Sequence, residues 1–217
     1  MSGFRVAVPS TVLEAQRLLS TPGSLPIAGG TDLLLDLESG RAEAGLLVSL
    51  RRLPYRTVRW EDGELRIGST APLAEVARAP GLPDRIPGLA TAIAAVGSPA
   101  LRNRATLGGN LVRSASASDL IPILIALGAT VQIDGPSGRR ATPVEEFGAG
   151  SRRPRLGAGE LLAEVRVPAA PSAYLWQRVR PVNDISQVGV AAARHPDGAW
   201  ALAVGGIVPG AARLRAA

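Results

Sequence analysis

The first fifty residues alternate between short apolar runs and stretches with helical spacing. The runs "FRVAVPS", "LPIAGG" and "GLLVSL" are typical of strands, and the last is apolar on both faces, as strands of a parallel sheet are. Between them, "TVLEAQRLLS" and "TDLLLDLESG" place apolar residues on one face of a helix. These elements predict a small β-α-β-α-β lobe over residues 1–54.

The pattern changes character after Pro54. Apolar residues alternate with polar ones on both sides of Asp62-Gly63, which is a strong signal for an antiparallel hairpin. Helices are predicted over 71–79, 87–97 and 120–127, and strands over 130–134 and 161–168. The mixture predicts a second lobe of the α+β class over residues 55–168.

The last part of the chain follows an Ala/Pro linker. Two strands of small residues are predicted to turn at His195–Gly198, which places His195 in an exposed loop. A unit of this size rarely folds alone, so it is expected to lean on something else. We therefore predict that residues 172–217 are the start of an α+β C-terminal domain, cut short by the end of the chain.

The composition is that of a globular protein, with 217 residues of which 46% are hydrophobic and 19% charged. The chain has no cysteine, which excludes disulfides, thiolate metal sites and any iron–sulfur cluster ligated by this chain. Any such redox centre must belong to a partner. No catalytic acid–base pair, nucleophile triad or metal-ligand cluster can be assembled from the remaining residues.

The charge of the chain also restricts the choice of partners. The net charge is +6, and every basic residue is an arginine, dispersed in pairs such as Arg51-Arg52 and Arg139-Arg140. Nucleic-acid binding would need a concentrated basic stripe with interleaved aromatics, so no nucleic-acid partner is expected. The N-terminus lacks a secretion signal, and no apolar run reaches the roughly 18 residues of a membrane span. A cytoplasmic protein is expected.

Two glycine pairs stand out from these patterns. The first, Gly29-Gly30, lies in "PIAGGTDL", which we call the first glycine segment (residues 26–33). The second, Gly108-Gly109, lies in "TLGGN", the second glycine segment (residues 106–110). Neither pair fits the apolar stripe of a helix or the alternation of a strand. For either pair alone, a tight turn is a sufficient explanation.

Taken together, the two segments favour oxyanion binding. Glycine permits positive φ and lets an anion approach backbone N–H groups closely. A helix predicted from Asp32 adds a favourable dipole, and the flanking Thr31 and Thr106 add hydroxyl donors. Neither segment matches the Walker or the dinucleotide-binding pattern. Two similar segments far apart in sequence predict a cleft that holds one diphosphate between two lobes.

Two polar residues extend this site. Asn110 is interpreted either as an amide that closes the loop or as a ligand contact. Asp119 stands just before the apolar helix 120–127, where a carboxylate caps a helix. A capping carboxylate beside a phosphate loop can also accept a hydrogen bond from a ligand hydroxyl.

In that order, "IAGGTDLL", "LRNRATLGGNL" and "ASDLIP" resemble the FAD-binding medium subunit of the molybdenum hydroxylases, the xanthine dehydrogenase and carbon monoxide dehydrogenase family. The resemblance implies an α+β fold, in which an α/β first lobe and a second lobe form a FAD-binding domain of the vanillyl-alcohol-oxidase-like (PCMH) type. In that family both glycine segments hold the FAD pyrophosphate. The implied FAD contacts are Pro26, Ile27, Ala28, Gly29, Gly30, Thr31, Asp32, Leu33, Val96, Thr106, Leu107, Gly108, Gly109, Asn110, Asp119, Leu162 and Trp176.

The resemblance also implies partners. A large molybdenum-cofactor subunit would oxidise the substrate, and a small iron–sulfur subunit would relay electrons to FAD, which passes them to NAD or another acceptor. The complex would be a heterotrimer or a dimer of heterotrimers. Two alternatives stay open from the residues: a self-sufficient FAD oxidoreductase of the same fold, and a cofactor-free scaffold subunit in which the glycines are only turns.

The sequence departs from the family pattern at two places. Many relatives carry a lysine at the position of Trp176, and its loss removes a positive charge near the flavin unless Arg178 or Arg180 replaces it. Trp176 is alternatively interpreted as a stacking residue or as filling between the lobes. The second departure is that relatives continue into a fuller C-terminal domain.

Overall fold

The computed structural model describes residues 3–148, 155–169, 173–179, 185–207 and 210–214. These residues form three β-sheets and the helices that join them. Each sheet is drawn from a different part of the chain. The predicted division at residues 54 and 168 stays a prediction.

The N-terminal sheet is parallel, and its elements follow the predicted β-α-β-α-β order. They are β1 (Arg5–Ala7), α1 (Val12–Leu19), β2 (Ser24–Ile27), α2 (Leu33–Glu38) and β3 (Leu46–Ser49). β3 lies between β1 and β2 and pairs with both in parallel. The strands of a parallel sheet run in one direction, so their carboxyl ends lie at one edge of the sheet. The connection from β2 to α2 begins at that edge.

The central sheet has five antiparallel strands in the order β4-β5-β8-β6-β7. Its elements and helices are β4 (Val58–Glu61), β5 (Glu64–Gly68), α3 (Leu73–Val76), α4 (Leu82–Arg85), α5 (Pro87–Ala94), α6 (Pro99–Arg102), α7 (Leu107–Arg113), α8 (Leu120–Ala126), β6 (Thr130–Gly135), β7 (Gly138–Pro143), α9 (Val144–Phe147) and β8 (Leu161–Pro168). The predicted hairpin is present, since Asp62 and Gly63 join β4 to β5 with positive φ values of 52° and 77°.

β8 faces two cores, which is why its sequence "LLAEVRVP" does not alternate cleanly. Leu162 and Val165 pack in the large core beneath the central sheet, whereas Leu161 and Ala163 pack in a smaller core with the N-terminal sheet. The register with β6 shifts by one residue between Gln132 and Ile133, so β8 carries one extra residue there. This bulge moves the following side chains to the opposite face.

The C-terminal sheet packs against helix α8. Its strands are β9 (Ala173–Val179), β10 (Val188–Arg194), β11 (Trp200–Gly205) and β12 (Ala212–Leu214), in the order β12-β11-β10-β9. The small side chains of Ala191, Ala193 and Ala203 are buried in the same large core as α8. Small residues let the sheet approach the helix closely, so strands β10 and β11 share a core with the central sheet.

Three details of the sequence predictions were wrong. The helix predicted over 71–79 is α3 plus a tighter turn, because Arg78 and Ala79 donate to carbonyls three residues back. The helix predicted over 87–97 ends at Ala94. His195 is half-buried instead of exposed, and its Nε2 donates to the carbonyl of Ala126 at the end of α8 at 2.9 Å. Each difference reflects a tertiary contact or a local hydrogen bond that periodicity does not encode.

Replacing Tyr55 with Phe tests the contact between the smaller core and strand β6. The buried Tyr55 hydroxyl donates to Asp134 at 2.7 Å, and Arg139 holds the same carboxylate. Losing a hydrogen bond to a charged acceptor should lower the free energy of unfolding by about 2 kcal/mol at pH 7 in urea titrations. Burial, and then the bond to Asp134, raises the pKa of Tyr55 above its usual value.

That pKa shift gives the same prediction a second readout. The folded protein favours the neutral phenol, so the stabilising contribution of Tyr55 is complete below pH about 10 and is lost as the pH rises further. The stability difference between the wild type and Tyr55→Phe should therefore shrink above pH 10. A difference that is absent at pH 7, or that stays constant into alkali, would contradict the assignment.

Candidate functional site

The first glycine segment connects β2 to α2. Pro26 and Ile27 end the strand and are half-buried, Ala28 and Asp32 are exposed in the connection, and Leu33 begins the helix. Gly30 has a φ of +76°, a conformation that side chains with a Cβ rarely adopt. Its carbonyl accepts a hydrogen bond from the amide of Leu34 at 3.1 Å, so the bend at Gly30 leads directly into the helix.

Gly29 serves a different purpose from Gly30. A Cβ atom at Gly29 would overlap the backbone carbonyl of Arg104, so the first glycine segment lies directly against the chain that leads into the second. The Arg104 guanidinium donates to the Gly29 carbonyl at 3.2 Å. The two glycine segments, which are far apart in sequence, are therefore neighbours in the fold.

The second glycine segment is the start of a helix, so the alternative explanation of a tight turn does not hold for it. Thr106 is the N-cap of α7, and its Oγ1 accepts a hydrogen bond from the amide of Gly109 at 2.9 Å. Leu107, Gly108 and Gly109 then form the first turn. Two glycines in the first turn give this segment a low helix propensity. The local stability comes instead from the Thr106 cap, which propensity does not take into account.

The two glycines of the second segment also differ in purpose. A Cβ at Gly108 would lie 2.5 Å from the carbonyl oxygen of Ser69, so Gly108 allows α7 to pack on the chain after β5. Gly109 is exposed, and an added Cβ would lie 2.9 Å from Thr106 Oγ1, with no other described residue outside the local helix backbone within 4 Å. The packing of the described residues therefore leaves the surface at Gly109 accessible.

The hydroxyl oxygen of Thr106 takes part in the cap of α7. Thr106 is buried, and its oxygen is already the acceptor of the helix cap. The amides of Leu107 and Gly108 lie in the first turn, where the geometry of an α-helix provides no intrahelical acceptor. Anion binding here would depend on backbone amides more than on threonine hydroxyls. Thr31, in the first segment, is half-buried.

Asn110 and Asp119 are joined through Ser118. The Ser118 hydroxyl donates to Asn110 Oδ1 at 2.7 Å, which fixes the orientation of the amide. Its oxygen accepts from the amides of Leu120 and Ile121 at 3.2 and 3.3 Å. Ser118 therefore supplies the cap of α8 that the sequence assigned to Asp119, and that assignment was wrong.

Asp119 instead holds the C-terminal sheet against the site. Its carboxylate accepts from Arg178 of β9 at 2.9 Å and from Ser186 at 2.6 Å. Arg178 also donates to the carbonyl of Ala95 at 2.9 Å. The half-buried carboxylate is thus fixed by groups that come from two other parts of the chain.

The remaining predicted residues lie farther along this network or outside it. Val96 follows α5, is half-buried, and accepts a hydrogen bond on its carbonyl from Arg102 at 2.9 Å. Leu162 is buried in β8, against which α7 packs. Trp176 lies in β9 opposite Ala191, and its side chain is outside the described residues.

Sequence reasoning missed a group of charged residues behind the glycine segments. Asp36 of α2 is buried, and its carboxylate accepts from Arg41 and from Arg113 of α7. The hydrogen bond from Arg41 lowers the pKa of Asp36 most; Arg113 lowers it further, and burial opposes both. The only sequence signal is a carboxylate inside the apolar run "LLLDLE", which gives no partner.

The arrangement is suited to an extended anion. It combines an exposed glycine surface at Gly109, a bend at Gly30, first-turn amides of α7 and the guanidinium of Arg104 beside Gly29. Positive charge and oriented amides favour a phosphate at this place. In the part of the chain that the structure describes, no group of three or more His, Cys, Asp or Glu residues could hold a metal ion. No helix there is both long and apolar enough to cross a membrane.

Comparison with known proteins gives this anion site a context. Residues 2–170 match the family model described as the FAD binding domain in molybdopterin dehydrogenase. The FAD-subunit of nicotinate dehydrogenase from Eubacterium barkeri is 30% identical over 223 residues, covering 96% of this chain and 75% of that protein. The carbon monoxide dehydrogenase medium chain of Hydrogenophaga pseudoflava is 30% identical and covers 90% of this chain and 70% of that protein.

A solved structure supports the same relationship. The fold superposes on a chain of the carbon monoxide dehydrogenase of Hydrogenophaga pseudoflava with a TM-score of 0.90 and 29% identity. That superposition covers 97% of this chain and 77% of the other. The chain spans about three quarters of the length of these proteins. The activities and partners of their complexes are properties of those proteins and are only proposed for this chain.

The different purposes of Gly108 and Gly109 can be tested by alanine substitution. Gly108→Ala should lower the free energy of unfolding by about 3 kcal/mol, because the new Cβ overlaps the Ser69 backbone. Gly109→Ala should change it by no more than about 1 kcal/mol, since the helix gains from alanine what the Thr106 cap loses. Urea titrations of both variants make the comparison. Equal losses would contradict the assignment of different purposes to the two glycines.

Proposed function

Because the chain belongs to the family of FAD-binding domains found in molybdopterin dehydrogenases, with FAD as its cofactor, we propose that it is the electron-transfer subunit of a molybdenum-containing hydroxylase complex. It would receive electrons from an iron–sulfur partner subunit and pass them through FAD to NAD or another acceptor. The substrate would be oxidised on a separate molybdenum-cofactor subunit. The complex would be a heterotrimer or a dimer of heterotrimers.

The observation that carries this proposal is the contact between the two glycine segments. Gly29 and Arg104 approach so closely that no side chain fits between them, and Gly109, five residues after Arg104, is exposed. A diphosphate bound at this contact would meet backbone amides and a guanidinium without a Cβ in the way. The residues present therefore fit the pyrophosphate of FAD.

We propose individual roles for the residues around this contact. The first turn of α7 and Arg104 would neutralise the pyrophosphate, while Gly30 gives the first segment the bend that turns it into α2. Asn110, oriented by Ser118, would offer its amide nitrogen as a donor, because its oxygen is already occupied. FAD when bound supplies the redox chemistry, and the chain supplies placement.

The groups farther from the pyrophosphate would shape the rest of the site. Asp119, held by Arg178 and Ser186, is proposed to accept a hydrogen bond from a cofactor hydroxyl. Leu162 and Val96 are proposed as apolar neighbours that exclude water. The remaining residues proposed to contact FAD are Pro26, Ile27, Ala28, Thr31, Asp32, Leu33, Thr106, Leu107, Gly108 and Trp176.

The need for partners follows from the residue types. With no cysteine, the chain cannot ligate an iron–sulfur cluster. If its FAD takes electrons from an iron–sulfur cluster, another subunit would have to ligate that cluster. The identity of that subunit and of the final acceptor is part of this proposal.

FAD binding can be tested with glycine variants that have a matched control. Gly30→Val and Gly198→Val both place a branched side chain at a positive φ, of 76° and 86°, but Gly198 is in the distal hairpin with open space around it. We expect Gly30→Val and Gly109→Val to abolish the flavin absorption of the purified protein, and Gly198→Val to retain it. Retention of flavin by Gly30→Val and Gly109→Val would contradict the site, whereas loss from all three would indicate general misfolding.

The electron-transfer role needs a test with partners. Expressed together with its genomic neighbours, the chain should co-purify with a cysteine-rich iron–sulfur subunit and a molybdenum subunit, and substrate should bleach its flavin band in a stopped-flow experiment. A chain that binds FAD and is reduced by a substrate without any partner would instead be a self-sufficient oxidoreductase. A folded chain that takes up no added FAD would be a scaffold subunit.

A further inference from the structure

A partly buried ion pair connects α2, which follows the first glycine segment, to α7, which contains the second. Asp36 of α2 has a side chain that is only 7% exposed. Arg113 of α7 donates to both of its oxygens, to Oδ2 through Nη1 and to Oδ1 through Nη2 at 3.4 Å. The Nε of Arg113 also lies 3.8 Å from Asp32. This is a bidentate contact between residues that are 77 positions apart in the chain.

The Asp36–Arg113 pair lies on the two helices that begin at the glycine segments. α2 begins directly after the first glycine segment, and α7 contains the second, so Asp36 and Arg113 lie about one helical turn or more beyond each pair. At the other end, Gly29 and Arg104 are in direct contact. The spacing between the two glycine segments is therefore fixed at two points: one backbone contact and one ion pair.

Asp36 has a second arginine partner, which provides a contrast. Arg41 donates to Asp36 Oδ1 at 2.9 Å, but it lies only five residues later, in the same part of the chain, and its side chain is 57% exposed. Arg41 therefore neutralises Asp36 without reaching α7. Of these two arginines, Arg113 is the one that joins the two helices. Both arginines donate to Asp36, but Arg41 follows α2 in the chain whereas Arg113 belongs to α7.

The bidentate contact holds the two helices at one separation. Loss of Arg113 leaves Asp36 with its hydrogen bond from Arg41, but it removes the ionic contact between α2 and α7. The guanidinium fork has a fixed geometry that lysine cannot reproduce. Loss of Arg113 should therefore let α2 and α7 separate, whereas loss of the exposed Arg41 should not.

We propose that the Asp36–Arg113 ion pair is a positioning element that sets the separation of the two glycine segments and through it the affinity for FAD. The inference rests on the proposed role of those segments in holding FAD. The pair acts through the backbone that it holds in place, and the chemistry of the flavin does not involve it. The cleft is thereby prepared for the cofactor before the cofactor binds, which lowers the cost of ordering on binding.

The test compares Arg113→Gln with Arg41→Gln in the cofactor-free full chain. FAD affinity is measured by quenching of flavin fluorescence, well below the melting temperature of each variant. Arg113→Gln should weaken FAD binding about tenfold, and Arg113→Lys should weaken it by a smaller factor because the charge but not the fork remains. Arg41→Gln should stay within about twofold of the wild type.

Hydrogen exchange of the cofactor-free protein supplies a readout that is independent of FAD. Arg113→Gln should raise exchange in α2 and in residues 26–33, and Arg41→Gln should not. Wild-type FAD affinity in Arg113→Gln, or equal losses in both glutamine variants, would overturn the inference. If Arg113→Gln does not fold, wild-type affinity in Arg113→Lys overturns it in the same way. A wild-type chain that binds no FAD would refute the proposed function instead.

Discussion

The arrangement of the site depends on one steric constraint, which is that backbone must touch backbone at two places. Gly29 lies against Arg104, and Gly108 lies against Ser69. These contacts bring the first glycine segment against the chain before α7, and α7 against the chain after β5, at backbone distance. A methyl group at either glycine would push these segments apart, because it would overlap backbone atoms, which have no rotamer to change.

The polar groups around this contact are largely committed to one another. Thr106 caps α7, Ser118 caps α8 and orients Asn110, and Asp119 is held by Arg178. A network in which each member has its partner is rigid, which favours precise placement of a ligand. What it leaves for an anion is backbone amides, a guanidinium and glycine surface, and these recognise a phosphate group by shape and charge.

The same rigidity extends to the distant parts of the chain. β8 contributes to two cores through its bulge, and α8 is covered by the C-terminal sheet through a row of alanines. Arg178 of that sheet reaches both Ala95 and Asp119, so the sheet supports the site as well as the core. The glycine segments therefore adjoin helices and strands that are packed on more than one side.

The sequence by itself determined the local elements and the type of chemistry. Apolar periodicity predicted the β-α-β-α-β unit and the hairpin at Asp62-Gly63, and the glycine pairs indicated an anion site, because both signals lie within a few neighbouring residues. Tertiary structure alone decided which glycine of each pair is structural, that Ser118 and not Asp119 caps α8, and that Asp36 pairs with Arg113. Those outcomes are set by contacts between residues as far as 77 positions apart, and local patterns carry no record of such contacts.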